Sequence, residues 1–206
     1  MIYQTQNIKI SCSSSIREAI ESVIGKRVSD SEIARLVGAI DNSTVAISEY
    51  ANKTFLAQIK HKHILEQVRI FGKTSGNVLY LKNEFFQTHP DSPKKIGLVS
   101  LAREIYQAKK FNFAYIRTFA SGKKGDENIG YYVWARFGFN APLTAKEKAK
   151  LPDFLKTAND LNDIFLLGGK FWWWQNGSGR DMIFELEKSK KAYQIWQAYL
   201  QEKGVL

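Results

Sequence analysis

A single cysteine, Cys12, among 206 residues excludes an intramolecular disulfide and any zinc site built on several cysteines. Its expected role is a half-buried thiol beside the first strand, since free cysteine behaves as a small hydrophobe. No apolar run reaches the length of a membrane span, and the N-terminus has no charged-then-apolar export pattern. Internal repeats, low-complexity linkers and a basic tail are lacking too. These absences predict one soluble, cytoplasmic domain over 1–206, with a core over 1–140 and an extension over 141–206 belonging to it.

What the chain does hold is apolar and basic. A hydrophobic content of 44% with 13% aromatics describes a packed globule rather than a disordered chain. Thirty Lys+Arg against 20 Asp+Glu give a formal charge of +10, a field that favours anionic partners: nucleic acid, a nucleotide-bearing cofactor or an acidic membrane face. The lysines are nevertheless scattered, in runs no longer than Lys94-Lys95, Lys123-Lys124 and Lys190-Lys191. His61 and His63, two apart, would share a strand face. With no carboxylate or cysteine pattern nearby they read as solvated turn histidines, and no metal is assigned.

The organising stretch runs from Asn77 to Asn140. A β-rich run from Val78 through Phe86 is broken by His89-Pro90-Asp91-Ser92-Pro93, because proline cannot donate to a ladder. From Ile96, apolar residues at Val99, Leu101, Ala102, Ile105 and Tyr106 follow helical spacing. Phe113 to Phe119 reads as a second strand closed by Ser121-Gly122, and Asn128 to Phe137 as a short helix ending at Gly138. Two apolar strands joined by a helix predict a parallel, right-handed βαβ crossover, whose ligands sit at strand carboxyl ends and at the helix N-terminus.

Around that unit, Ile8 and Ile10 mark a first strand, Ser15–Glu18 and Ser29–Glu32 read as capping boxes of two helices, and Thr44 to Phe86 as a meander of strands. Residues 31–45 also fit a helix-turn-helix, although Val45 to Tyr50 suits a strand better than a groove-reading helix. Further on come a Thr144-capped helix, an apolar helix over Leu161–Trp174 interrupted at Gly168-Gly169, a strand over Met182–Leu186 and a terminal helix over Ser189–Gly204. Trp172, Trp173 and Trp174 must point in three directions on a helix, so one face cannot bury them all.

This order of pieces, with a helix ending in Arg136-Phe137-Gly138-Phe139, resembles the GNAT acyltransferase fold. The pairing of Gly130-Tyr-Tyr-Val-Trp-Ala-Arg-Phe-Gly-Phe139 with the later Trp172-Trp-Trp-Gln-Asn-Gly177 resembles, more narrowly, a bacterial GNAT-like family. The resemblance implies an α/β (α+β) domain with a mixed sheet, a central βαβ unit and a C-terminal helical, aromatic-rich extension. It also implies transfer of an acyl group from acyl-CoA to an amine on a small molecule, peptide or protein. Lys94-Lys-Ile-Gly-Leu-Val99 would be the pyrophosphate turn, with Lys94, Lys95, Gly97 and Ser100 as cofactor ligands. Val99 replaces the family's small residue there. Asn128 resembles the asparagine before the fourth helix, and would otherwise serve as its cap. Glu84 is the general base by position. The family's usual tyrosine acid falls on Trp134, whose indole N–H cannot supply the proton, so Tyr131 or Tyr132 would substitute. Arg117 and Arg136 are either acidic-group ligands or structural ion-pair partners. The departures at Val99 and Trp134 favour a rival expectation: a binding module for nucleic acid or protein that kept the fold and lost the chemistry. A helix-turn-helix regulator is third.

Overall fold

Strand and helix periodicities resolve into seven β-strands and eight α-helices, a mixed α/β architecture, in the computed structural model, which describes residues 4–186 and 190–205. The chain divides into two units, Met1–Ile116 and Arg117–Leu206.

Unit 1 opens with β1 (Lys9–Ser11), followed by α1 (Ser14–Ile24) and α2 (Asp30–Leu36). The first cap lies two residues earlier than the sequence pattern suggested: Ser13, in extended conformation, accepts from the Ile16 amide, and Glu18 takes no part. Gly25 ends α1 at φ 86°, and the Ser29–Glu32 box opens α2 as expected. Cys12 follows β1 and is half-buried. Next comes β2 (Thr44–Ala51), paired parallel with β1 (Ile10 opposite Val45) and antiparallel with β3 (Thr54–Lys60). The helix-turn-helix expectation fails here: its second helix is a strand, held on both edges, with Val45 and Ile47 buried beneath it. Strands β3, β4 (Ile64–Lys73) and β5 (Leu79–Thr88) continue the antiparallel meander, with Phe55 opposite Phe71 and Phe71 opposite Leu81.

Helix α3 (Ile96–Lys110) closes the core of unit 1 in a way its apolar stripe does not announce. Leu98, Leu101, Ala102 and Ile105 are buried, and so are Ser100, Arg103, Glu104 and Gln107, at i, i+3, i+4 and i+7. Each member of this polar stripe has a partner. Arg69 Nε on β4 donates to Glu104 Oε2 at 2.9 Å, with both side chains at most 1% exposed. Arg69 Nη1 donates to the Phe85 carbonyl at 2.8 Å. Gln67 Nε2 donates to the carbonyls of Val37 and Gly38 and to Ser100 Oγ, and Ser100 Oγ donates to the Gly38 carbonyl at 2.6 Å. Arg103 donates to the Ala39 carbonyl and to Asp41, both at 2.8 Å, and Arg35 Nε to Gln107 Oε1 at 2.9 Å. Gly38 sits at φ 64°, where a Cβ would lie 2.7 Å from Ser100 Oγ, so only glycine lets the chain pass this close to α3. After α3, the Ala114 amide donates to the Leu79 carbonyl at 2.9 Å and the Tyr115 ring stacks on Tyr80. The start of β6 (Tyr115–Lys123) thus lies beside the start of β5, with contacts advancing together along both.

Unit 2 takes in the rest of β6, α4 (Gly130–Arg136), α5 (Ala145–Ala149), a 3-10 turn over Asp153–Leu155, α6 (Leu161–Leu166), α7 (Lys170–Asn176), β7 (Ser178–Glu185) and α8 (Lys190–Glu202). Strand β6 does not stop at Ser121-Gly122 but runs through them. The expected apolar helix over Leu161–Trp174 is two helices parted at Gly168-Gly169. Strand β7 begins four residues before Met182. Ser189, the expected start of the last helix, lies outside the described residues. Thr144 and Glu147 form the capping box of α5. Gly138, at φ 94°, brings the backbone after α4 against α8, where a Cβ would meet the Ala192 carbonyl at 2.5 Å. Phe137 then packs edge-on to Trp196 and Tyr199, and Phe184 to Tyr193.

The Arg69–Glu104 contact yields a stability prediction. Arg69→Met leaves a wholly buried carboxylate without its counter-charge and is expected to cost about 3–5 kcal/mol by chemical denaturation. Arg69→Met with Glu104→Leu is expected to recover most of that loss.

Candidate functional site

The expected cofactor turn lies at the start of α3. Lys95 is the residue before the helix and adopts a left-handed backbone, φ 75°, with no side-chain cap. For a lysine this conformation costs on the order of 1 kcal/mol. Lys94 and Lys95 are exposed, and no acidic residue stands in the first turn of α3, so no carboxylate of that turn offsets the positive end of the helix. Gly97 has its open side against Phe86, where a Cβ would lie 3.1 Å from the ring, so packing alone accounts for this glycine. The other side of Phe86 carries the Arg69 guanidinium, 5.3 Å from the ring centroid. Ser100 does not belong with the lysines: it is buried, and its hydroxyl donates to Gly38 while accepting from Gln67. A phosphate outside the helix cannot reach it. Val99 is half-buried on the helix. Glu84 on β5 is half-buried and ion-paired with Lys82 on the same strand face. Unit 1 therefore brings together Lys94, Lys95 and Gly97, leaves Glu84 paired with Lys82, and withdraws Ser100 into the core.

The chain's three histidines also gather in unit 1. The His63 amide donates to His61 Nδ1 at 3.1 Å, their rings are 5.4 Å apart, and the His89 amide donates to the His63 carbonyl at 2.9 Å. Burial, with His63 and Lys62 adding positive charge, holds the His61 pKa below its ordinary value. Among the described residues no group of three His, Cys, Asp or Glu side chains is placed to hold a metal ion.

Unit 2 joins the two aromatic motifs, bonding residues 42 and 43 positions apart in the sequence. Tyr131 on α4 is fully buried, and its hydroxyl donates to the Trp174 carbonyl at 2.8 Å. In return Trp173 Nε1 on α7 donates to the Tyr131 carbonyl at 3.0 Å. The Tyr131 ring stacks on Trp174 at 6.0 Å, and burial, with Tyr132 and Asp126 adding to it, pushes the phenol pKa up. A phenol so held packs α4 against α7, with its hydroxyl committed to a backbone carbonyl. Tyr132, half-buried, meets Trp174 edge-on at 4.9 Å, with the Arg136 guanidinium over its other side. Trp134 packs edge-on against Phe139. Arg136 is a structural ion-pair partner, 2.8 Å from Glu202, while Arg117 lies on the exposed side of β6. Asn128 is exposed and is not the cap of α4, which is Ile129 with no side-chain bond. Of the three consecutive tryptophans, Trp173 is buried and its neighbours are half-buried, as three directions on one helix require.

Beside Trp173 sits a second ion pair, with Glu147 buried and Arg180 half-buried. The Arg180 guanidinium lies 4.9 Å from the Trp173 ring and binds Glu147 through both terminal nitrogens, with Nη1 at 3.1 Å from Oε2. Glu147 also accepts from the amide and hydroxyl of Thr144. Burial opposes ionisation of Glu147, but the Arg180 and Thr144 donors together outweigh it and lower its pKa below the usual 4.5. The sequence reading passed over Arg180, Glu147, Arg69, Gln67 and the α3 stripe. Glu147 had a signal in its place three residues after Thr144, and the stripe in its i, i+3, i+4, i+7 spacing, although such a polar stripe ordinarily faces water.

Two outcomes follow from this geometry. Tyr131→Phe orphans the Trp174 carbonyl and is expected to lower stability by about 1–2 kcal/mol in urea titration. Because the native Glu147 pKa is depressed, its contribution is complete above pH 4.5 and disappears as the pH falls through the lowered native value. Thermal midpoints measured down that range are expected to fall more steeply for the parent chain than for Glu147→Gln. Compared with known proteins, the sequence matches no protein-family model and no curated protein.

Proposed function

We propose that this chain is a GNAT-like binding module that keeps the order of the fold without tyrosine-assisted acyl transfer, and that its partner is anionic. The observation that carries the reading is the Tyr131 hydroxyl, fully buried and committed to the Trp174 carbonyl. A general acid must reach the leaving group, and this phenol reaches only its own backbone. Trp134, at the usual acid position, has no transferable proton, and Ser100 is likewise committed to the Gly38 carbonyl. The β5–α3–β6 order and the paired beginnings of β5 and β6 support the GNAT-like part of the reading. The formal charge of +10 supports the anionic partner, whether nucleic acid or the acidic face of another assembly.

A second reading rests on one feature, the two exposed lysines ahead of α3. There the chain would be an acyl-CoA-dependent N-acyltransferase, with Lys94, Lys95 and Gly97 holding the pyrophosphate, Glu84 as base and Tyr132 as acid toward an amine acceptor. Incubation with acetyl-CoA and a panel of amines separates the two. The binding-module reading expects no CoA release above background, together with a salt-sensitive rise in melting temperature on adding heparin or single-stranded RNA. Release of CoA that falls in Glu84→Gln or Tyr132→Phe would overturn it.

A further inference from the structure

Unit 2 exposes large apolar side chains where its short helices meet. Phe154 of the 3-10 turn is 60% exposed, Leu166 and Leu167 at the end of α6 are 45% and 44%, and Phe171 at the start of α7 is 71%. The pieces that carry them touch. A Cβ on Gly169, in the α6–α7 turn, would lie 2.7 Å from Leu155 and 3.0 Å from Ile164, so the 3-10 turn is packed directly against that turn. Leu155 and Ile164 fill the interior, while their chain neighbours Phe154, Leu166 and Leu167 remain in solvent. Scattered single hydrophobes need no explanation, but four on two adjoining turns do.

The charges around them are one-sided. Lys146, Lys148, Lys150, Lys156 and Lys170 are all exposed. The acidic residues of the same stretch are mostly occupied within the unit: Glu147 by Arg180, Asp163 by Lys191, and Asp160 by the amide that it caps at the start of α6. Asp153 alone is exposed among them. Exposed apolar side chains on a segment that also exposes five lysines complement a surface that is negative outside and hydrocarbon within. Single-stranded nucleic acid is also negative, but it uses stacking faces, and Leu166 and Leu167 have none.

We propose that the segment from Lys146 to Phe171 is a docking surface for an anionic lipid bilayer, with Phe154, Leu166, Leu167 and Phe171 entering the headgroup–acyl boundary and the lysines binding lipid phosphates. This deepens the binding-module reading by naming the anionic partner, and rests on that reading for its biological sense. The two fail separately: CoA release sinks the first, and vesicle assays decide the second. The attachment proposed is peripheral; no helix among the described residues is long and apolar enough to cross a membrane.

The test is flotation of the full chain with phosphatidylcholine vesicles and with vesicles partly replaced by phosphatidylglycerol. Recovery is expected to be about tenfold or more higher on the anionic vesicles and to fall with salt. Leu167→Ser with Phe171→Ser, both exposed, is expected to keep the melting temperature and lose about tenfold or more of that binding, since the apolar contribution goes with the side chains. As a readout that needs no variant, brominated acyl chains should quench tryptophan emission, because Trp172 adjoins Phe171. No flotation, equal flotation of the double variant, or absence of quenching would overturn the proposal. So would a double variant that loses RNA binding while vesicle binding is undetectable.

Discussion

The contact between Arg69 and Glu104 is the constraint from which unit 1 is built. Two opposite charges taken out of water are costly, and they are tolerated only when geometry and additional hydrogen bonds offset the desolvation. Here β4 supplies the guanidinium, α3 the carboxylate, and the Phe85 carbonyl a further acceptor. Burial pushes the Glu104 carboxyl above its ordinary range against the pull of Arg69, so the pair must be satisfied in place or not at all. Once it is, the helix can neither slide nor turn on the sheet. Gln67, Ser100 and Arg103 then bind the backbone after α2, and Gly38 allows the approach. The polar core specifies a register that Leu, Ile and Ala side chains alone would leave degenerate.

Unit 2 solves the same problem with aromatic groups. Its helices α4 to α7 are five to seven residues each, too short to be stable alone. They are held by reciprocal bonds between Tyr131 and the tryptophans of α7, and by the guanidinium of Arg180 set between Trp173 and Glu147. Tyr131 is thereby engaged in holding short elements together, its hydroxyl on the Trp174 carbonyl and its own carbonyl on the Trp173 indole.

Most of the scaffold was legible in the sequence because local chemistry decided it. The Ser29–Glu32 box, the Thr144 cap, the Gly25 stop, the break after Thr88 and the Gly168-Gly169 interruption each act within a few residues, where sequence pattern is sufficient. The candidate site was legible in part. Lys94, Lys95 and Gly97 do stand together at a helix start, but Ser100 and Tyr131 turn inward, because partners 62 and 43 positions away claim their hydroxyls. Nothing local distinguishes a polar stripe that meets water from one that meets Gln67 and Arg69. The helix-turn-helix pattern failed for the same kind of reason: β1 and β3 flank residues 44–51 and draw them into a sheet.

Gly138 has one more implication, for the order in which the molecule is made. The backbone there is pressed against the first turn of α8, and Tyr193, Trp196 and Tyr199 of that helix lie against Phe137 and Phe184, beside the contacts these rings make with Trp134 and Phe139. A nascent chain that has not yet released α8 lacks the part of that cover which Tyr193, Trp196 and Tyr199 supply. The packing around Gly138 is therefore complete only once α8 has been made, whatever the state of the strands that precede it.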